Sequence, residues 1–120
     1  MTHDPVRVML DAVLAAPVPD GFTMAYRERH DTLLHCTYRD VTLSPDGLNV
    51  ATFAFGAPGA YAHISVNSAG DAYTVGVFAT AIGFNVQSAG HVVAFTNAED
   101  AVSCAVGEIH GELRRQRRGW

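Results

Sequence analysis

Through the middle of this chain, apolar residues return at every second position and are interrupted at short intervals by turn-forming clusters. Phe22, Met24 and Tyr26 share one side of such a run. Ala62, Ile64 and Val66 alternate with Tyr61, His63 and Ser65 in a second, and Tyr73, Val75, Val77 and Ala79 continue the pattern in a third. A period of two belongs to strands with one face covered and the other wet. Ser44-Pro45-Asp46-Gly47 and Asn67-Ser68-Ala69-Gly70-Asp71 are strong turn signals between such runs. Short turns between neighbouring strands favour an antiparallel meander.

Helical spacing brackets this alternation. Asp4 followed by Pro5 reads as a capping carboxylate and a proline at the first helical position. Val6, Met9, Leu10, Val13 and Leu14 then mark one apolar face, and Pro17 and Pro19 stop the helix. Near the other end Asn97 (or Thr96) caps a second helix, with Glu99 and Asp100 in its first turn. Ala101, Val102, Ala105, Val106, Ile109 and Leu113 form its buried stripe. Gly107 and Gly111 weaken that helix by about 1 kcal/mol each relative to Ala, so packing must compensate or it frays after Leu113. The expected fold is α+β. An N-terminal helix precedes an antiparallel β-meander of five or six strands, a C-terminal helix follows it, and both helices pack on one sheet face.

Several local expectations follow. His30-Asp31-Thr32 reads as a hairpin loop, with Leu33 to Leu43 as the returning strand. The apolar phase of that strand slips between Tyr38 and Val41, and a β-bulge near Arg39-Asp40 would absorb the slip. A further strand is expected over residues 48–55, and a short one from His91 to Phe95 after a turn at Ser88-Ala89-Gly90. At 120 residues the chain is the size of one domain, residues 1–120, with 114–120 a basic tail.

Hydrophobic residues make up 48% of the chain and charged residues 17%, which excludes disorder by composition. No apolar run approaches the roughly 20 residues that span a bilayer. Met1-Thr2-His3-Asp4-Pro5 lacks the features of a secretory signal, so a cytoplasmic protein is expected. Cys36 and Cys104 read as free thiols there. All eight basic residues are Arg. Few long charged side chains leave apolar surface uncovered, which points to a homo-oligomer (a dimer) or another protein as partner.

No motif for catalysis stands out. The six histidines have no short metal-binding spacing, no cofactor is implied, and neither GxSxG nor a phosphate-binding glycine loop is present. Combinations such as Cys36, His35 and Asp40, or Ser65, His63 and Asp71, could supply triad chemistry, but adjacent strand residues point to opposite faces. The expected binding surface is a helix-free sheet face or edge carrying Tyr61, His63, Ser65, His35, Thr37 and Arg39. The reading is therefore a non-enzymatic protein-interaction or regulatory module. The alternative is a small-ligand binder or small enzyme with a pocket between sheet and helix, using Tyr38, His35, His63 and Tyr73.

A third reading rests on charge. Residues 1–110 carry four Arg against eleven acids, whereas residues 111–120 carry four Arg against Glu112. Arg114, Arg115, Arg117 and Arg118, followed by Trp120, could dock on an acidic protein surface or grip nucleic-acid phosphates. The acidic body argues against the nucleic acid. The same arginines also complement the dipole of a helix C-terminus.

Overall fold

A computed structural model describes residues 4–48, 59–67, 69–80, 86–88 and 93–119. Helix α1 spans Pro5–Leu14. Asp4 precedes it in extended conformation, and its Oδ1 accepts from the amides of Val6 and Arg7 at 3.1 and 3.2 Å. That satisfies two of the amides left without partners in a first helical turn. The other carboxylate oxygen accepts from Arg39 Nη1 at 2.9 Å. Arg39 and its cap bond hold the Asp4 carboxyl below its ordinary value.

Among the described residues six strands follow: β1 (Phe22–Asp31), β2 (Cys36–Pro45), β3 (Ala60–Val66), β4 (Tyr73–Thr80), β5 (Val86–Ser88) and β6 (Val93–Phe95). They form one antiparallel sheet in the order β1-β2-β3-β4-β5, with β6 also paired to β4. β5 lies along Phe78–Thr80 and β6 along Tyr73–Val75, so one edge of β4 is covered in two pieces. The closing helix, α2, spans Ala98–Gly119. Asn97 Oδ1 caps it, accepting from the amides of Glu99 at 2.9 Å and Asp100 at 3.2 Å.

Both helices pack on the same sheet face. Leu10 and Val13 from α1 meet Val41, Leu43, Ala60, Ala62, Ile64, Tyr73, Val75, Val77 and Ala79 from the sheet and Ala101, Val102, Ala105 and Ile109 from α2. This is the α+β arrangement expected from the alternation and the caps. Tyr73 donates from its hydroxyl to the Met9 carbonyl at 2.9 Å, which ties α1 to β4. Gln116 Nε2 donates to the Gly59 carbonyl at 2.7 Å, which ties the far end of α2 to the start of β3. The β3–β4 turn also touches α1. Gly70 has φ +73°, and a Cβ there would lie 3.0 Å from the Pro5 side chain. Among the described residues, no helix is long and apolar enough to cross a membrane.

The β1–β2 hairpin departs from expectation in two ways. Its loop is Thr32–His35 rather than His30–Thr32: Asp31 Oδ1 accepts from the amides of Leu33 and Leu34 at 2.9 and 3.0 Å, and His35 has φ 52°. A loop of this length closed by a left-handed residue is a standard hairpin solution. Secondly, there is no bulge. The register runs without a break from Phe22↔Pro45 to Asp31↔Cys36. The apolar phase slips because Val41 and Leu43 are the apolar residues turned to the helices, whereas Tyr38 stands on the other face. β2 pairs with β3 only from Asp40 to Leu43, so the outer half of the hairpin projects beyond that neighbour.

At the other edge, Ser88 lies in β5 rather than in a turn, and the last short strand starts at Val93. The strand expected over residues 48–55 lies, all but its first residue, outside the described residues.

Two outcomes test this packing. Ile64 is fully buried, so Ile64→Ala should cost about 2–5 kcal/mol in denaturant unfolding. Asp4→Asn keeps a capping oxygen but removes the charge facing Arg39. Because the folded pKa of Asp4 lies below its ordinary value of 3.8, its charge stabilises the fold above that value and ceases to do so as pH falls through the folded value. Asp4→Asn should therefore melt lower than wild type near neutrality, with the gap closing in strong acid.

Candidate functional site

The face of the sheet opposite the helices is set by the same alternation that builds the core. On β1 it presents Arg27 and Arg29, on β2 Tyr38 and Asp40, on β3 Tyr61 and His63, and on β4 Phe78. These seven residues line an open concavity of about 390 Å3. Cross-strand register brings them together: Arg27 lies opposite Asp40, Arg29 opposite Tyr38, and Tyr61 opposite Phe78.

The floor is aromatic. Tyr61 and Phe78 stack with centroids 5.4 Å apart and planes 20° apart, and His63 meets Phe78 edge-on at 4.9 Å. His63 Nδ1 lies 2.6 Å from Asp40 Oδ2, with both side chains about four-fifths covered. A carboxylate at that distance orients the ring by accepting from Nδ1 and leaves Nε2 as its second hydrogen-bonding atom. Arg29 sits over the Tyr38 ring at 5.0 Å to the centroid. Burial pushes the Tyr61 hydroxyl above its ordinary value, Arg27 pulls it back, and Asp40 acts with burial.

The residues proposed from sequence separate. Tyr61 and His63 are brought together as expected. Arg39 and Thr37 are not on this face: their parity places them on the helix side, where Arg39 is held by Asp4 and Thr37 lies 3.1 Å from His30 Nδ1. His35 is in the hairpin loop and exposed, away from His63. Ser65 is on the face of His63 but lines a second hollow of about 270 Å3, the notch where the hairpin leaves β3. Tyr73 is in the core, so the set Tyr38, His35, His63 and Tyr73 does not form one pocket between sheet and helix. The partner of His63 is Asp40, whereas Asp71 accepts from Asn67 Nδ2.

Arg114 and Arg115 are exposed on α2, and Arg115 pairs with Glu112. Arg117 and Arg118 fall in the last helical turn, where only the backbone is described, and Trp120 lies outside the described residues. Cys36 and Cys104 are free thiols, and burial, aided by Glu108, raises the thiol of Cys104. Among the described residues, no three His, Cys, Asp or Glu side chains are grouped to hold a metal ion.

Arg27, Arg29 and Phe78 are the members that sequence reasoning missed. The signal was available as parity: Arg27 and Arg29 continue the wet side opposite Met24 and Tyr26, and Phe78 the side opposite Val75 and Val77. Comparison with protein families, curated proteins and solved structures found no match for this chain, so the chemistry of the site rests on its geometry.

The tyrosines give a test. All four ionise above the ordinary value of 10.0: Tyr26, Tyr61 and Tyr73 chiefly through burial, and Tyr38 chiefly through its hydrogen bond with Cys36. A folded state that holds these protons longer than the unfolded chain loses stability as pH rises. Tyrosinate absorbance should therefore appear later in the native protein than in the denatured one, and the melting temperature should fall above about pH 10. Tyr61→Phe should remove one late-titrating component.

Proposed function

We propose that this chain is a protein-interaction module whose docking surface is the helix-free face of the sheet together with the projecting β1–β2 hairpin. The observation that carries this reading is the hairpin itself. Its tip presents Leu33 at 90% and Leu34 at 66% exposure, and Tyr38 stands at 42% on the same arm. Large apolar side chains gathered at the end of an arm contribute nothing to the core. They form the kind of surface a partner covers. The arm leads directly into the concavity of Arg27, Arg29, Tyr61, His63 and Phe78, a mixture of aromatic and arginine side chains typical of interface centres.

A second reading draws on the pair of His63 and Asp40. An oriented imidazole in a concavity of about 390 Å3 suits a small ligand with a polar group, since pockets for such ligands begin near this size. The hollow is half-open, and the exposed leucines lie outside it, so the protein partner explains more of the surface.

Site-specific photo-crosslinking separates the readings. A photoreactive residue at position 34 or 61 should trap one discrete protein in the source cells, and one at exposed Ser103 should not. Replacing Leu33 and Leu34 with Glu should abolish the crosslink from position 61 while changing stability by less than about 0.5 kcal/mol, as for exposed sites generally. Equal labelling from position 103, or crosslinks indifferent to the leucine changes, would defeat the proposal.

A further inference from the structure

The docking surface has an edge as well as a face. β1, ten residues long, pairs with β2 on one side and with no other strand among the described residues. An edge strand of this length can offer the backbone groups of its outer side to an incoming strand.

Charge selects which strand can come. Of the four arginines before α2, Arg7 is paired with Asp11 at 3.1 Å and Arg39 with Asp4 at 2.9 Å. Arg27 and Arg29 are exposed, project from β1 onto the helix-free face, and make no ion pair among the described residues. Asp40, the acid opposite Arg27, is engaged by His63 instead. On the helix side of β1, Glu28 accepts from the Tyr26 hydroxyl at 3.1 Å.

A second copy fits this edge poorly in the registers centred on its charged residues, whereas one centred on Tyr26 opposes no like charges and is an outcome the experiment must exclude. Antiparallel pairing of β1 with itself about a two-fold axis keeps each face on its own side. Centred on Arg27 or Arg29, it sets that arginine against itself. Centred on Glu28, it sets Arg27 against Arg29 and Glu28 against Glu28. Like charges directly opposite each other destabilise a strand pair. The same charges favour a different chain, one with acidic residues at alternate positions opposite Arg27 and Arg29 and neutral polar residues between them.

We infer that the outer edge of β1 receives an extended acidic segment of another protein as an added strand, with its carboxylates on Arg27 and Arg29. This rests on the protein-interaction reading above and narrows it to a chemistry. Backbone pairing supplies the docking and the two arginines supply selection, while the aromatic floor of Tyr61 and Phe78 lies further in, beyond β2. Because residues 1–110 are acidic overall, the attraction is local and weakens as salt rises.

The test uses a labelled peptide as long as β1, alternating Thr with Glu, titrated against the full chain and followed by fluorescence anisotropy. It should bind at low salt and protect the backbone amides of β1, but not those of β6, from hydrogen exchange. Arg27→Gln and Arg29→Gln should each weaken binding about fivefold, the size of one partly exposed ion pair. The matching Thr-Lys peptide should not bind. A Thr-Glu peptide methylated on alternate backbone nitrogens should also fail.

Binding that ignores both Arg→Gln changes would overturn the inference, as would equal binding of the Thr-Lys or methylated peptide. So would a homodimer in native mass spectrometry whose β1 amides are already protected. If the peptide fails while the crosslink from position 61 succeeds, only the acidic strand is lost. If that crosslink fails, the wider reading falls independently of the peptide.

Discussion

Small side chains meet where α2 crosses the sheet, and the rest of the architecture depends on that seat. Ala60, Ala62 and Ala79 lie on the sheet and Ala101 and Ala105 on the helix, all at or near zero exposure. Small residues at a crossing let the backbones approach closely, and Ile64, Val77 and Ile109 fill the space around them. Because the seat is on β3 and β4, α1 takes the remaining room over β2 and β3. Its cap is then within reach of Arg39, and its carbonyl at Met9 within reach of Tyr73.

With both helices committed to one side, the other side of the sheet is left to whatever the alternation places there. That is why Arg27, Tyr38, Tyr61, His63 and Phe78 converge although they come from four strands. No loop has to fold correctly to assemble them, and no helix has to move to uncover them. The pair of His63 and Asp40 adds rigidity, since a short carboxylate–imidazole bond fixes a ring that also packs on Phe78.

How much of this could be read from the sequence varied with the surroundings of each residue. The caps at Asp4 and Asn97 were legible because they act within a few residues. β3 and β4 were legible because one face of each is fully covered, so Ala62, Ile64, Val75 and Val77 had to be apolar. The hairpin was harder. Leu33 and Leu34 resemble strand residues, yet they occupy the loop, because the Asp31 carboxylate offers their amides partners that a strand would have supplied. Thr37 and Arg39 were assigned to the wrong face for a related reason. Beyond Asp40, β2 has no β3 neighbour, so burial no longer marks one side as apolar. The site inherited that ambiguity: its β3 residues were found, and the arginines on β1 were not.

The projecting hairpin has one more consequence. From Arg27 to Tyr38 its residues lie outside the core cluster, and their replacement removes little of what keeps the chain folded. The arm and the folding core are thus written in separate parts of the chain. Descendants of this protein could exchange the sequence of the arm while the alanine seat stays unchanged. Selection can then act on that surface without first having to rescue stability.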